Sequence, residues 1–135
     1  MVKKTFGLLI SLILISVGSC IQAQTPAENE ITVNQVREKI NADEDIILLD
    51  VRTESEYTGA LGHVDSSVLI PLDELDARIN ELENYKDKEI IVICRSGNRS
   101  GYATRILRDK NFKAFNMLGG MLEWNAQLKQ RKEEE

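Results

Sequence analysis

The sequence contains few of the residues from which many active sites and frameworks are built. Its 135 residues include two cysteines, one histidine and two prolines. Two cysteines cannot form a disulfide framework or a four-cysteine zinc site. A single histidine argues against a serine-histidine-aspartate triad and against a multi-histidine metal site. Any chemistry must therefore use few reactive groups.

Basic charge is also scarce, because 22 aspartates and glutamates outnumber 17 lysines and arginines and give a formal net charge of −5. Proteins that bind nucleic acid present a basic face to the phosphates, so we expect no nucleic-acid partner. No glycine-rich nucleotide-binding fingerprint is present. A chain of this length has room for one ordinary globular domain, which excludes a multidomain enzyme.

Residues 1–24 have the layout of a bacterial export signal. Lys3 and Lys4 precede an uncharged apolar run from Phe6 to Val17, and small or polar residues follow it. The run is short and interrupted by serine, which argues against a membrane-spanning helix. Removal of this segment takes away two lysines and no acidic residue, so the exported domain is acidic.

Two processing routes compete at the end of this segment. Val17-Gly18-Ser19-Cys20 resembles the lipobox of bacterial lipoproteins, so we expect lipidation of Cys20 and attachment to the cell envelope. The alternative is cleavage before Gln24 and release into the periplasm. Membrane contact is expected only through the lipid or the signal. In both routes Cys94 is a lone thiol in an oxidising compartment, which calls for an explanation.

Apolar patterning predicts that strands and helices alternate along the rest of the chain. Unbroken apolar runs at residues 46–49, 68–70 and 90–93 favour strands buried on both faces, and residues 112–118 favour another strand. Apolar residues at helical spacing form four groups, each of which predicts a helix. The groups are Val33, Val36 and Ile40 after a Thr32 cap; Leu72, Leu75, Ile79 and Leu82; Tyr102, Ala103, Ile106 and Leu107; and Trp124 and Leu128 after Gly120. This alternation predicts an α/β fold with a central parallel sheet between helices.

Composition sets the expected limits of the domain. Residues 25–30 contain a proline and two acidic residues and are predicted to form a tether. Residues 31–130 are predicted to form the domain. Residues 131–135 are strongly charged and are predicted to form a solvated tail.

The segment from Cys94 to Ser100 joins a predicted buried strand to a predicted helix, and it carries the chemistry. A short loop that enters a helix N-terminus can turn backbone N–H groups inward and favour an anion at its centre. Gly97 permits the positive φ that such a turn needs. A thiolate on Cys94 would be stabilised there, with its pKa below the free value. The candidate nucleophile is Cys94, and the candidate anion-binding residues are Arg95, Ser96, Gly97, Asn98, Arg99 and Ser100.

This loop resembles the active-site loop of the rhodanese (thiosulfate sulfurtransferase) family, with cysteine first and arginine sixth. Two further stretches support the resemblance. Leu49-Asp50-Val51-Arg52 with Glu56-Tyr57, Gly62-His63-Val64 and Ile70-Pro71-Leu72 resembles the amino-terminal signature of the family, and Gly119 to Trp124 resembles the carboxy-terminal one. The resemblance covers Ile31 to Leu128 and implies a rhodanese-like three-layer sandwich of the exported bacterial type.

Two departures from the family pattern stand near the amino-terminal signature. Four residues, Thr58 to Leu61, precede Gly62 where two are commoner. Asp65-Ser66-Ser67 replaces the usual Pro-Gly-Ala. Both departures concern local turn geometry and the access of substrate, and they leave the catalytic loop intact.

The resemblance implies a sulfurtransferase. Cys94 would take the outer sulfur from a small sulfur-containing anion such as thiosulfate, hold it as a persulfide and pass it to cyanide or a thiol, with no metal and no organic cofactor. Two alternatives stay open: a phosphatase or arsenate-reductase-type oxyanion enzyme, and a non-catalytic envelope module that presents Cys94. Phosphatase-type loops have five residues between cysteine and arginine, whereas four lie between Cys94 and Arg99, which favours sulfur.

The remaining polar residues of the signatures are interpreted as structural support. Asp50 ends a predicted strand, and Arg52 and Glu56 are four residues apart, so hydrogen bonds and an ion pair are favoured over contact with substrate. The resemblance makes His63 a structural hydrogen-bonding residue and not a general base.

Overall fold

The structure is a computed structural model that describes residues 26–134. The expected export signal, residues 1–24, and the expected lipidation site, Cys20, lie outside the described residues. Within residues 26–134, no helix is both long enough and apolar enough to cross a membrane.

The described part of the chain contains one sheet of five parallel strands. The strands are β1 (Glu30–Ile31), β2 (Ile46–Asp50), β3 (Val68–Leu69), β4 (Glu89–Ile93) and β5 (Lys113–Met117). Their spatial order is β1-β5-β4-β2-β3. The unbroken apolar runs before Asp50 and Cys94 therefore form neighbouring strands near the middle of the sheet.

Helices connect the strands, as the alternating pattern predicts. They are α1 (Val33–Asn41), α2 (Glu54–Tyr57), α3 (Leu75–Arg78), α4 (Asn98–Asp109) and α5 (Gly120–Glu134), and a 3₁₀ segment (Ile79–Tyr85) follows α3. Thr32 caps α1 with a reciprocal bond to Gln35, so the predicted cap is correct. The same arrangement of Thr53 and Glu56 begins α2, a short helix that the apolar pattern did not predict.

β4 is buried on both faces and separates two apolar cores. Ile90 and Val92 pack with residues of α3 and α4, whereas Ile91 and Ile93 pack with residues of α1 and α5. This division follows from the strand geometry, since successive side chains point to opposite faces. The predicted three-layer α/β arrangement is confirmed.

Three details differ from the expectations. Val68 is 37% exposed because β3 is an edge strand of two residues and is not buried on both faces. Glu30, assigned to the tether, pairs with β5 as part of β1. α5 continues to Glu134 through most of the expected tail, because lysine, arginine and glutamate are good helix formers even where nothing covers them.

Candidate active site

The carboxyl ends of β2 and β4 lie side by side, because Asp50 is opposite Ile93 in the parallel ladder. Cys94 follows β4 directly, and the Val51 N–H donates to the Ile93 carbonyl oxygen at 2.9 Å. Ligand sites in parallel α/β sheets form at this edge. The structure therefore places Asp50 and Cys94 at the edge of the sheet where a site is expected.

The Cys94 sulfur lies at the centre of the loop that leads into α4. Its residue is 1% exposed. The Gly97 N–H donates to Sγ at 3.1 Å, and the Ser100 Oγ lies 3.2 Å from Sγ. Gly97 has a φ of 101°, a left-handed conformation that side-chain-bearing residues rarely adopt. The loop thus turns backbone and side-chain donors toward the sulfur.

The loop rests on the first turn of α5. The N–H groups of Met121 and Leu122 donate to the carbonyl oxygens of Cys94 and Arg95 at 2.9 and 3.0 Å. These bonds satisfy N–H groups that the start of a helix leaves without partners. They also fix the carbonyls of two loop residues against α5. Gly120 is required at the contact, because a Cβ there would overlap the Cys94 carbonyl oxygen.

The Ser100 hydroxyl lies between two buried acceptors. Its Oγ is 3.2 Å from Cys94 Sγ and 2.6 Å from Asn116 Oδ1. A hydroxyl has one proton, so it cannot donate to both atoms at once. When Cys94 is a thiol, its S–H donates to Ser100 and the hydroxyl donates to Asn116. When Cys94 is a thiolate, the hydroxyl donates to the sulfur.

These donors lower the pKa of Cys94. Burial acts in the opposite direction and by itself raises the pKa of the thiol. Hydrogen bonds from the Ser100 hydroxyl and from the N–H groups of Ser100, Gly97 and Ser96 outweigh burial, and the net pKa lies below the ordinary value. The environment therefore favours the thiolate, which is the nucleophilic form.

We expect Ser100→Ala to raise the pKa of Cys94, because it removes the side-chain hydrogen bond that stabilises the thiolate. The measurement is the rate of alkylation of Cys94 as a function of pH. The midpoint should move to higher pH, and alkylation at neutral pH should become slower. Thr104→Val is the control, since the Thr104 hydroxyl is buried on the same helix and has no hydrogen-bond partner among residues 26–134. Equal midpoints in Ser100→Ala and wild type would contradict this account.

Arg99 forms a paired contact with Glu56 of α2. Its Nη1 and Nη2 donate to the two carboxylate oxygens of Glu56 at 2.7 and 2.6 Å. These bonds lower the pKa of Glu56 to about 2 against the effect of burial, with further help from Thr53. The sequence-based ion pair between Arg52 and Glu56 is wrong, because the Arg52 guanidinium turns toward Asp50 and only meets the Glu56 backbone. Glu56 therefore holds the arginine of the loop in place.

The depressed pKa of Glu56 predicts a pH-dependent contribution to stability. A carboxyl with a folded pKa near 2 and an ordinary value of 4.5 stabilises the fold above pH 4.5 and loses this contribution as the pH falls toward 2. We expect Glu56→Gln to lower the free energy of unfolding by about 1 kcal/mol at neutral pH, since the pair is partly exposed.

Urea unfolding at decreasing pH measures this effect. The difference between wild type and Glu56→Gln should shrink between pH 4.5 and about pH 2. Glu54→Gln is the matched control, because Glu54 is an exposed carboxylate of the same helix and forms no ion pair within residues 26–134. A difference that stays constant down to pH 2 would argue against the Arg99 contact as its source.

Asp50 and Arg52 form a salt bridge that is completely buried. The Arg52 Nε and Nη2 donate to the Asp50 carboxylate at 2.9 and 2.7 Å. Nη1 donates to the Glu56 carbonyl oxygen at 3.1 Å, and Nη2 also donates to the Gly62 carbonyl oxygen at 2.7 Å. Every nitrogen of the guanidinium is therefore used, and the group connects the end of β2 to the backbone of Glu56 and Gly62.

The other predicted residues lie around this centre with fewer contacts. Arg95, Ser96 and Asn98 are exposed. His63 is exposed, stacks on Tyr57 with a centroid separation of 3.9 Å, and has its Nδ1 3.1 Å from the Tyr57 carbonyl oxygen. Within residues 26–134, no group of three or more histidine, cysteine, aspartate or glutamate side chains is placed to hold a metal ion.

Asn116 is a site residue that the sequence analysis missed. It lies in β5, within residues 112–118, whose apolar character predicts a strand and no site residue. A buried asparagine in the middle of such a run is a usable signal, because buried polar side chains almost always have a polar partner. Here that partner is Ser100.

Comparisons with known proteins match most of the chain to one domain family. A family model described as the rhodanese-like domain matches residues 32–127. The putative sulfurtransferase YtwF of Bacillus subtilis is 38% identical over 100 residues, which are 74% of this chain and 93% of that protein. A sulfurtransferase of Allochromatium vinosum is 30% identical over 97 residues, 71% of this chain and 87% of that protein. A crystal structure of a rhodanese-related protein from Thermoplasma volcanium superposes with a TM-score of 0.66 and 31% identity, covering 73% of this chain and 92% of that chain.

Proposed function

This chain belongs to the rhodanese-like sulfurtransferase family, and we propose that it moves a sulfane sulfur from a donor such as thiosulfate to cyanide or a thiol through a persulfide on Cys94. The observation that carries the proposal is the buried Cys94 sulfur with converging donors from Gly97 and Ser100. A site of this kind stabilises a small sulfur anion and needs no metal or organic cofactor.

The reaction has two steps of nucleophilic substitution at sulfur. The Cys94 thiolate attacks the outer sulfur of thiosulfate. A new Sγ–S bond forms, the S–S bond of thiosulfate breaks, and sulfite leaves with the electron pair. Cyanide then attacks the outer sulfur of the persulfide, leaves as thiocyanate and returns the electron pair to Cys94. No electrons are gained or lost overall, so the cycle needs no oxidant or reductant.

The loop contributes by stabilising negative charge at two positions. The N–H groups of Ser96, Gly97 and Ser100 favour the thiolate before the first step. The outer sulfur of the persulfide carries the negative charge after it, and preorganised loop donors stabilise such a charge without rearrangement. Arg99 is held by Glu56 beside the loop, and its positive charge adds to the field at the sulfur.

Intact-protein mass spectrometry of the purified protein tests the proposal. Thiosulfate should increase the mass by one sulfur atom, and cyanide should remove that increase and release thiocyanate. If thiosulfate leaves Cys94 unmodified while an aryl phosphate is hydrolysed readily, the loop serves an oxyanion enzyme and the proposal is wrong. If neither reagent reacts, the module that only presents Cys94 is the better description.

We further propose that the protein acts at the cell envelope, tethered through a lipid on Cys20. The support is the lipobox-like Val17 to Cys20 directly behind an apolar run that follows two lysines. The donor and acceptor would then be small molecules on the periplasmic side or the outer surface. A tether on Cys20 leaves Cys94 as the single thiol of the anchored protein.

We expect Cys20→Ala to remove the protein from its membrane location without changing sulfur transfer by the purified protein. Each buried methylene of an acyl chain contributes about 0.8 kcal/mol to membrane binding, so loss of the chains releases the tether. The measurements are membrane fractionation and the mass of the N-terminal peptide. Cys94→Ser is the control and should leave fractionation unchanged. A wild-type protein that is soluble in the periplasm and begins at Gln24 would show ordinary signal cleavage.

A further inference from the structure

A cavity of about 360 Å³ lies beside the catalytic loop. It is bounded by Arg95 of the loop and by Glu56, the residue that holds Arg99. Its wall is mostly apolar and comes from α2 and from the segment that follows it. The residues of this wall are Ser55, Gly59, Ala60 and Leu61. A volume of this size accommodates a small molecule.

The segment that forms the wall is held firmly. The Gly59 N–H donates to the Glu56 carbonyl oxygen at 3.3 Å, and the Gly62 N–H donates to the Gly59 carbonyl oxygen at 2.9 Å. A Cβ on Gly59 would lie 2.7 Å from the Ser55 carbonyl oxygen, so this close approach requires glycine. Gly59, Ala60 and Leu61 belong to the four-residue stretch before Gly62 that departs from the commoner spacing of the family.

One positive charge at this cavity is free to bind a ligand. Arg52 also borders the cavity, but all of its nitrogens already donate to Asp50 and to backbone carbonyls. The Glu56 carboxylate is neutralised by Arg99. Arg95 is exposed and forms no ion pair with any residue in the range 26–134. The cavity therefore combines an apolar wall with one unpartnered guanidinium.

We propose that this cavity binds the sulfur acceptor, and that the acceptor is a small thiol that carries a carboxylate. The proposal rests on the function proposed above. The carboxylate pairs with the guanidinium of Arg95, which matches it in geometry. The carbon chain packs on Ala60 and Leu61. Arg95 is the residue next to Cys94 in the loop, so the proposal holds the acceptor on the loop residue that neighbours the persulfide.

The transfer step is a substitution at the outer sulfur. The acceptor loses its thiol proton to solvent and attacks as a thiolate. A new S–S bond forms to the outer sulfur, the bond from that sulfur to Cys94 Sγ breaks, and the electron pair returns to Sγ. The products are an organic persulfide and the Cys94 thiolate, and nothing is oxidised or reduced overall.

The test compares three thiols and cyanide as acceptors from protein already loaded with sulfur by thiosulfate. The thiols are mercaptoacetate, which carries a carboxylate, mercaptoethanol, which is neutral, and cysteamine, which carries an ammonium group. Cyanide serves as the acceptor that needs no cavity. Each variant is compared with wild type for the same acceptor, which cancels the intrinsic reactivities of the four nucleophiles.

Arg95→Gln should lower kcat/KM for mercaptoacetate by about tenfold, which corresponds to about 1.4 kcal/mol, and should lower the value for mercaptoethanol and cysteamine much less. Ala60→Phe fills the cavity from an exposed position outside the loop. It should lower transfer to every thiol about tenfold and leave persulfide formation and transfer to cyanide unchanged. Ala60→Leu, a smaller change, should give an intermediate effect.

The outcomes separate this inference from the proposed function. A wild-type protein that takes up no sulfur from thiosulfate overturns the proposed function and the acceptor site together. The acceptor site alone is overturned if the wild-type protein forms the persulfide but Ala60→Phe transfers sulfur to thiols and to cyanide in the same ratio as wild type. If Arg95→Gln lowers kcat/KM equally for all three thiols, the acceptor need not carry a carboxylate, and that part of the inference is wrong. Normal persulfide formation on Ala60→Phe also shows that its fold and loop are intact.

Discussion

Replacement of Cys94 by serine is expected to lower sulfur transfer from thiosulfate to cyanide by at least about three orders of magnitude. A serine hydroxyl is not ionised near neutral pH, even among the donors that lower the pKa of Cys94. It also cannot form a persulfide. The measurements are steady-state formation of thiocyanate and the mass of the protein after exposure to thiosulfate.

The fold of Cys94→Ser should be retained, because the change exchanges one atom at a position that already lies among hydrogen-bond donors. The Gly97 N–H and the Ser100 hydroxyl can donate to an oxygen in place of the sulfur. We expect the free energy of unfolding to change by less than about 1–2 kcal/mol. Thr104→Val is the activity control, since the Thr104 hydroxyl is buried on α4 and makes no hydrogen bond within the described part of the chain. Transfer by Cys94→Ser near the wild-type rate would overturn the mechanism.

The position of the nucleophile follows from the sequence, whereas its supporting contacts do not. An unbroken apolar run before Cys94 and a glycine three residues later predict a strand, a tight turn and a helix, and the structure has all three. The partner of Arg99 is Glu56, 43 positions earlier. That contact depends on how α2 lies against the loop. No spacing rule within one element predicts it.

The central strands were predictable because their burial leaves a strong pattern. β4 is covered on both faces and its run of isoleucine and valine has no polar interruption. The edge strand β3 carries the same type of residue but pairs with only one neighbour, so its sequence predicts more burial than it has. The final turns of α5 carry no apolar stripe that a periodicity argument could detect. Apolar patterns thus predict the strands and helices that form the core. They do not predict helical turns that form outside the core through intrinsic helix propensity.

The second large effect concerns stability, and it is expected from Arg52→Leu. The Arg52 and Asp50 side chains are both 0% exposed and meet at 2.7 Å. Removal of one partner of a buried ion pair costs about 3–5 kcal/mol, because the other charge is left without compensation. Domains of this size are stabilised by only about 5–15 kcal/mol in total. Urea unfolding should therefore show a much lower midpoint for Arg52→Leu.

Arg78→Leu is the matched control, because Arg78 also contacts carboxylates, those of Glu74 and Glu81, but does so at the surface. Surface ion pairs contribute little, so its midpoint should stay near that of wild type. Equal urea midpoints for Arg52→Leu and Arg78→Leu would contradict the conclusion that the buried ion pair stabilises the fold.

A double variant identifies which part of the loss comes from the unpaired charge. Asp50→Asn combined with Arg52→Leu removes both charges and keeps the shape of the Asp50 side chain. If the unpaired Asp50 carboxylate causes most of the loss in Arg52→Leu, the free energy of unfolding of the double variant should be higher than that of Arg52→Leu by about 1 kcal/mol or more. The carbonyl oxygens of Glu56 and Gly62 lose their donors in both proteins, so they contribute equally to the two losses. A double variant with the same stability as Arg52→Leu would instead place the cost in these backbone contacts, which both proteins lack.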